Sequence, residues 1–352
     1  MWEYENEKMG KCENGGNVES VSVSLERMTR GPKAASVDEL AGMLASEDAW
    51  FWREAFAAAR EIKTRCGKTE VLPRGLIECS NVCAKNCLYC GIRKGNGKAV
   101  RYQMPEDDVR ACIDEARRWG YPAVAFQAGE IESESNTAYY ERLTAYAKPL
   151  EVTLSLGEQT EEVYRRWKDA GAMRYLIRIE TSNRELYAKI HPAECSFDRR
   201  VECIRTLKRL GYVTGSGVMI GLPGQTIDDL ARDIVFYGDE GLDMVGMGPY
   251  VPHPQASLPV TEGQQAYDNK RSLRMALRMI ALTRLYLWNV NIVAATALEA
   301  LDPEGGRNRG IEAGANVIMP NLTPEKYRAN YDLYPGKTTA LSSKLESTGE
   351  TQ

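Results

Sequence analysis

From Leu76 onward short apolar runs alternate with longer amphipathic stretches. The runs Leu76–Ser80, Ala123–Ala128, Val152–Leu156, Arg174–Ile179, Gly217–Ile220, Met244–Met247, Asn291–Ala295 and Asn316–Met319 read as strands. Between them Pro105–Trp119, Thr160–Ala170, Phe197–Leu210, Ile227–Tyr237 and Tyr267–Leu287 carry apolar residues at helical spacing and end close to a glycine or a turn. Six strands would suit an open doubly wound sheet, whereas eight strand–helix alternations are the pattern of a TIM-type (β/α)8 barrel, so the α/β barrel is the expected fold class. Upstream, Ser36 to Glu39 reads as a capping box opening a helix, followed by an alanine- and aromatic-rich helix over Ala49–Thr64. The expected organisation is a flexible tail over 1–35, a helical N-terminal extension over 36–70, the barrel over 71–337, and a Ser/Thr-rich disordered tail over 338–352.

At 352 residues and 43% apolar content the chain can bury one large core. Its 45 basic and 49 acidic side chains leave a net charge of -4, and no basic-aromatic stripe follows a nucleic-acid backbone, so a nucleic-acid partner is not expected. No run approaches the length of a membrane span, and the polar, acidic amino terminus does not read as an export signal, so a soluble cytoplasmic protein is expected. Nine cysteines, an odd number, argue against a secreted disulfide framework. Only His191 and His253 are present, which leaves little for zinc-hydrolase or Ser-His-Asp chemistry. Cysteine, carboxylate, arginine or a cofactor must carry the chemistry.

The first strand runs into Cys79-Ser-Asn-Val-Cys83-Ala-Lys-Asn-Cys87-Leu-Tyr-Cys90-Gly91, at the strand end where a barrel places its active site. Spacings of three and then two residues let Cys83, Cys87 and Cys90 hold three irons of a 4Fe-4S cubane and leave the fourth open for a chelating ligand. Tyr89 would shield the cluster and Gly91 would let the chain turn away. A zinc knuckle and a structural or electron-transfer cluster remain alternatives, although no second Cys-x2-Cys pair exists to complete a zinc site. Cys79 is a possible fourth ligand or a plain buried thiol. Cys112 and Cys203 read as core thiols.

This spacing, with an aromatic residue before the third cysteine, resembles the radical S-adenosylmethionine (SAM) superfamily. From about Leu76 to Lys337 the chain further resembles the FeFe-hydrogenase maturase family HydE, through ECSNVCAKNCLYCGIR, FQAGE, VTLSLGE, RYLIRIET, GYVTGSGVMIGLPGQTIDDL, DMVGMGPYVPHP, GANVIMPNLTP and YDLYPGK. The resemblance implies one 4Fe-4S cluster and SAM, cleaved to a 5′-deoxyadenosyl radical. Gln127, Gly129 and Glu130 would face the SAM amino group, although Gly129–Glu130 also reads as a simple strand-ending turn. Glu180 would contact the ribose and Arg200 the carboxylate, with the adjacent Arg199 as the alternative. Tyr89, Ser155 and Met219 complete the implied SAM set. Around the substrate cavity the resemblance places Thr153, Arg174, Arg178, Met244, Thr296, Met319 and Tyr331, of which Met244 and Met319 also read as barrel filling. Independently of it, Arg178 and Glu180 lie two apart and share a strand face, as do Arg174 and Arg178 four apart. Gly215-Ser-Gly217 lacks the context of a dinucleotide fingerprint and reads as a close backbone approach.

For this family the implied substrate is a small iron complex carrying cysteine, carbon monoxide and cyanide. Implied partners are a ferredoxin- or flavodoxin-type electron donor and other hydrogenase maturases. The chain departs from the family pattern at Ala294-Ala295-Thr296, with one threonine fewer, and in Leu298–Leu301; no cysteine follows Cys203, so only one cluster is expected. A paralogue or methylornithine-synthase-type mutase acting on another small substrate, and a non-catalytic iron-sulfur carrier, are the rival readings.

Overall fold

The computed structural model describes residues 15–258 and 268–337. Strands β1 (Leu72–Ser80), β2 (Ala123–Ala128), β3 (Glu151–Ser155), β4 (Ala172–Leu176), β5 (Val213–Ser216), β6 (Met219–Ile220), β7 (Met244–Val245), β8 (Gly248–Pro249), β9 (Asn291–Ile292) and β10 (Val317–Ile318) alternate with helices. Eight of them form one parallel sheet in the order β10-β1-β2-β3-β4-β5-β7-β9. A parallel bridge between Val293 and Val317 joins its two ends, supported by bonds from Ala294 N to Val317 O and from Asn316 N to Ile292 O, both 2.9 Å. The barrel expected from the eightfold alternation is therefore present.

Boundaries differ where glycine and serine obscure the pattern. The fifth barrel strand is Val213–Ser216 rather than Gly217–Ile220; Met219–Ile220 is a short upward continuation that pairs with Gly248–Pro249. The chains approach so closely at the break that a Cβ on Gly217 would sit 2.1 Å from the Gly246 carbonyl oxygen, which is the close approach expected of Gly215-Ser-Gly217. The fourth strand ends at Leu176, because Ser216 Oγ accepts the Ile179 amide (3.1 Å) in place of a ladder carbonyl.

The capping box at Ser36 and Glu39 opens helix Val37–Ala45, and Asp48 caps the helix Ala49–Arg65. The segment expected to be a flexible tail is otherwise: Gly15–Arg30 is a helix. Leu25 and Met28, one turn apart, are buried, Met28 completely, and Trp288 Nε1 donates to the Met28 carbonyl (3.0 Å). Its apolar signal was too sparse to read, and tertiary packing, not propensity, holds it. The expected tail over 338–352 lies outside the described residues, as does Tyr267 of the expected helix Tyr267–Leu287, whose described part runs Asn269–Leu287. Among the described residues no helix is long and apolar enough to cross a membrane.

If the first helix is docked as described, Met28→Ala creates a cavity at a fully buried site and lowers stability by about 2–4 kcal/mol. Thermal unfolding reads this directly, and an unchanged midpoint would show that the helix contributes no packing.

Candidate active site

The loop that follows β1 is held open by backbone acceptors rather than by apolar packing. Arg101 Nη1 donates to the carbonyls of Asn81 and Ile92 (both 2.7 Å), and Nη2 to those of Arg93 (2.6 Å) and Asn96 (3.3 Å). Asn81, fully buried, ties Val100 and Asn330 through its side-chain amide and accepts from Tyr102 N. Gly91 is required by crowding more than by a turn, because a Cβ there would lie 2.0 Å from the Asp332 carbonyl oxygen. Cys83, Cys87 and Cys90 sit half-buried on this loop as free thiols. Glu130 N donates to Cys83 Sγ (3.3 Å). A hydrogen bond with Cys195 and then burial push the Cys87 thiol up; burial raises Cys83 and takes Cys90 up to about 12. The protein alone favours neutral thiols here, so binding of iron must expel protons. Cys79, by contrast, is completely buried in the core beside Cys112 and donates to the Ile77 carbonyl. Its plain buried reading is the one the fold supplies.

Beside the loop lies a buried charge network. Arg200 Nε donates to Glu158 Oε1 (2.6 Å) and Nη1 to the Arg178 carbonyl (2.6 Å). Lys85 Nζ lies 3.1 Å from Glu130 Oε1 and 3.7 Å from Glu158 Oε2, while Glu130 Oε2 accepts the Glu158 amide (2.9 Å). Of the two adjacent arginines, Arg200 faces inward and Arg199 is exposed, donating to the Gln159 carbonyl. Gly129 is confined by Val82, whose carbonyl a Cβ would approach to 2.2 Å. Glu180 adopts a left-handed backbone (φ 66°), held by Glu180 N to Gly217 O and Met219 N to Glu180 O, both 3.0 Å. Arg178 pairs with Glu180 at 3.0 Å, as the shared face suggests. Burial raises the carboxyls of Glu130 and Glu180 against the opposing pull of these cations.

Tyr89 packs with Met219 in a small apolar cluster with Leu186, Ile190, Leu222 and Tyr250. Burial holds His191 down to about 4, so its ring is neutral. Its Nδ1 then donates to the Tyr187 carbonyl (3.0 Å), and Nε2 is left to accept the Tyr89 hydroxyl (3.3 Å).

Inside the barrel the registers bring Glu78, Gln127 and Ser155 into one row, and Ala125, Thr153 and Arg174 into the row beneath. Arg174 and Arg178 are not brought together. Arg174 turns towards the other end, where its Nε donates to Glu151 (2.9 Å), Arg74 joins the same carboxylate (3.5 Å), and Met244 Sδ lies 4.0 Å from Nη1. Their separation follows from the strand ending at Leu176. Across the top runs the segment Tyr331–Lys337. Lys337 is buried against Glu78 and lies 4.4 Å over the Tyr331 ring; Asn321 donates to the other Glu78 oxygen (3.1 Å), and Tyr334 bonds Thr296 at 2.6 Å. Met319 follows β10, half-buried.

Glu130 Oε1 and Glu180 Oε2 meet side-chain cations, Lys85 at 3.1 Å and Arg178 at 3.0 Å, while two further polar atoms, Arg178 Nε and Thr153 Oγ1, are buried without a hydrogen-bond partner. Such atoms imply a polar occupant. Carboxylates, a guanidinium and a hydroxyl suit a zwitterionic sulfonium nucleoside such as SAM. Among the described residues no three or more His, Cys, Asp or Glu converge on one point as ligands of a single ion would. Thiolates that each take a separate iron of a cubane need no such convergence, so the donor set fits a three-cysteine 4Fe-4S cluster.

Residues 77–236 match the Radical SAM superfamily model. The chain is 43% identical over 314 residues to the [FeFe] hydrogenase maturase subunit HydE of Thermotoga maritima, covering 89% of this chain and 87% of that one. The chain belongs to the HydE family. At 24% identity it is also similar to 3-methylornithine synthase of Methanosarcina barkeri, over 84% of this chain and 83% of that protein. The structure of HydG from Carboxydothermus hydrogenoformans shares the fold, with a TM-score of 0.75 at 19% identity, covering 89% of this chain and 72% of that one. As a member of the HydE family the chain is a radical SAM enzyme, which displaces the zinc-knuckle and carrier readings of its cysteines.

The geometry adds residues that the sequence did not single out. Lys85 and Glu158 complete the buried network, Arg101 and Asn81 hold the three-cysteine loop, and Glu78 and Lys337 close the barrel top. Glu158 and Lys337 were visible only as the last residues of VTLSLGE and YDLYPGK. A further addition is Asp233, fully buried, whose Oδ1 accepts both Ser182 N (2.7 Å) and Ser182 Oγ (2.6 Å) just beyond Glu180.

Arg101→Met removes charged donors from four carbonyls and should cost on the order of 3 kcal/mol in ordering the loop. Iron and sulfide bound per chain after reconstitution should fall while far-UV circular dichroism is retained; full iron content would refute the stapling role. Burial pushes Asp233 up to about 7, against roughly 3.9 in an unfolded chain. The folded state thus favours the protonated form, and this group's stability contribution is full below about pH 4 and lost as pH rises through 7. Asp233→Asn should flatten the fall in melting temperature between about pH 5 and 8, and an unaltered pH profile would contradict the assignment.

Proposed function

We propose that this enzyme acts in assembly of the FeFe-hydrogenase active-site cluster, on a small iron complex carrying cysteine, carbon monoxide and cyanide, with attack at the cysteine sulfur. Cys83, Cys87 and Cys90 would hold the 4Fe-4S cluster. Gly129, Glu130, Arg200, Glu180, Gln127, Ser155, Tyr89 and Met219 would hold SAM. When bound, the cluster and SAM supply the reductive cleavage that yields the 5′-deoxyadenosyl radical. The chain's residues bind and orient both partners and exclude water from the space between them.

The observation that carries this reading is the polar lining near the three-cysteine loop: Arg178 Nε and Thr153 Oγ1 are buried with no hydrogen-bond partner, the first a donor and the second a donor or acceptor for a polar ligand. Arg178 also donates to the Val218 carbonyl (2.8 Å), which aims its guanidinium along the upper barrel wall. A cation and hydroxyls there suit an anionic complex. Thr296, Tyr331, Met244, Met319 and Arg174 would bound the remaining substrate volume. The eight described cysteines are all free thiols, which supports a reducing, cytoplasmic setting. Partner maturases of the hydrogenase pathway and a ferredoxin- or flavodoxin-type donor belong to the same proposal.

Anaerobically reconstituted protein given SAM and a chemical reductant should form 5′-deoxyadenosine. Cys87→Ala should form none, whereas Cys79→Ala should match wild type; an inactive Cys79→Ala protein with intact fold would overturn the ligand assignment. Activation of apo-hydrogenase in the presence of the partner maturases tests the substrate, and its failure despite SAM cleavage would move the enzyme to another small molecule.

A further inference from the structure

Between Cys79 and Pro105 the chain carries five cationic side chains, Lys85, Arg93, Lys94, Lys98 and Arg101, and no Asp or Glu, in a protein of net charge -4. Three of the five have work inside the loop. Lys85 pairs with Glu130, Arg101 binds four carbonyls, and Arg93 donates to Asn86 Oδ1 (3.3 Å) and the Gln255 carbonyl (2.9 Å). Lys94 and Lys98 are exposed and form no ion pair among the described residues.

Their positions are nevertheless fixed. Lys94 N donates to the Lys85 carbonyl (2.8 Å), and Lys98 N to Asn96 Oδ1 (3.1 Å). Asn96 is itself buried and donates to the Gly91 carbonyl (2.7 Å) and Gln255 Oε1 (2.8 Å). Two solvated ammonium groups thus stand on a rigid knuckle joined directly to the loop that bears Cys83, Cys87 and Cys90. Val100, 65% exposed, and Val82, 36% exposed, lie on the same loop. Like charges and exposed apolar side chains carried on one loop are the composition of a docking face rather than of a merely solvated one.

Reductive cleavage of SAM consumes one electron, which must arrive from a carrier outside the chain, and this inference rests on the radical SAM assignment above. We infer that the knuckle of Lys94 and Lys98, with Val82 and Val100, is the docking surface for an acidic one-electron carrier protein of ferredoxin type. The carrier is oxidised by one electron for each SAM cleaved. Its acidic surface would be steered by the two ammonium groups, an effect that fades as salt shortens the screening length to about 8 Å at physiological ionic strength. Docking here brings the carrier to the loop where the cysteine side chains are only half-buried.

The test uses reconstituted wild type and Lys94→Glu/Lys98→Glu with a reduced bacterial two-cluster ferredoxin. Binding is measured by titration calorimetry at low and high salt, and 5′-deoxyadenosine formation is measured with ferredoxin or with reduced methyl viologen, a cation that needs no basic dock. The charge reversal should weaken ferredoxin binding by about tenfold or more and abolish most of its salt dependence. It should slow ferredoxin-driven turnover correspondingly and leave viologen-driven turnover at wild-type rate. Unchanged ferredoxin binding overturns the inference, as does an equal loss with both reductants. Salt-dependent binding of a single-stranded oligonucleotide, lost in the variant, with no binding of ferredoxin would instead make the knuckle a nucleic-acid surface. If wild type makes no product even with viologen, the catalytic assignment fails, and the calorimetric arm still decides the docking surface on its own.

Discussion

Arg200 and Glu158 meet at 2.6 Å with side chains only 8% and 5% exposed. Removing two charges from water costs several kcal/mol each, and their attraction repays it only when further bonds satisfy the remaining donors and acceptors. Here they do. Arg200 also caps the Arg178 carbonyl, Glu158 lies within reach of Lys85, and the Glu158 backbone is pinned by Glu130. Through these few bonds the ends of β2, β3 and β4, the three-cysteine loop and the helix Phe197–Arg209 are tied to one another. A hydrophobic replacement could be as stable, but it would not fix these five elements in register around a polar ligand. Around the network Glu130 Oε1 and Glu180 Oε2 are shielded from water, and each meets a side-chain cation, Lys85 at 3.1 Å and Arg178 at 3.0 Å.

The barrel divides its charges between two ends. Arg174 and Arg74 share one Glu151 carboxylate oxygen at the amino-terminal end, where Glu151 is 43% exposed and screening is strong. Arg178 and Glu180, at the carboxyl-terminal end, are paired but not saturated. Arg174 gives its Nε to a carboxylate, whereas the Nε of Arg178 is buried and unbonded and so has a bond to offer a ligand. The two arginines, alike on the sequence, thus differ in what each leaves unbonded.

The eightfold alternation and the cysteine spacing were legible because each rests on a local repeat: period-two runs for strands, and x3-x2 spacing for a loop folding round one corner of a cubane. What escaped was long-range. Arg101 acts through carbonyls, which have no sequence identity. Lys337 acts through Glu78, 259 positions away. The first helix has Leu25 and Met28 as buried apolar anchors among its described side chains, and Trp288 holds its last turn through the Met28 carbonyl. The fourth strand failed at Ile179 because a serine hydroxyl, not a carbonyl, takes its amide, and no periodicity announces that.

Glu180 shows how these local irregularities serve the site. A non-glycine residue at φ 66° carries a backbone cost of order 1–3 kcal/mol, which persists only where surrounding bonds over-determine it. Gly217 and Met219 fix its amide and carbonyl, and Asp233 grips Ser182 two residues on. Had β4 continued regularly past Leu176, Arg178 and Glu180 would have remained in a flat ladder. The interruption by Ser216 lets the chain turn so that the Glu180 carboxylate faces Tyr89 and Arg178 rather than the neighbouring strand. Strand ending, strained residue and buried aspartate are thus one device, and its product is a carboxylate aimed beside the three cysteines.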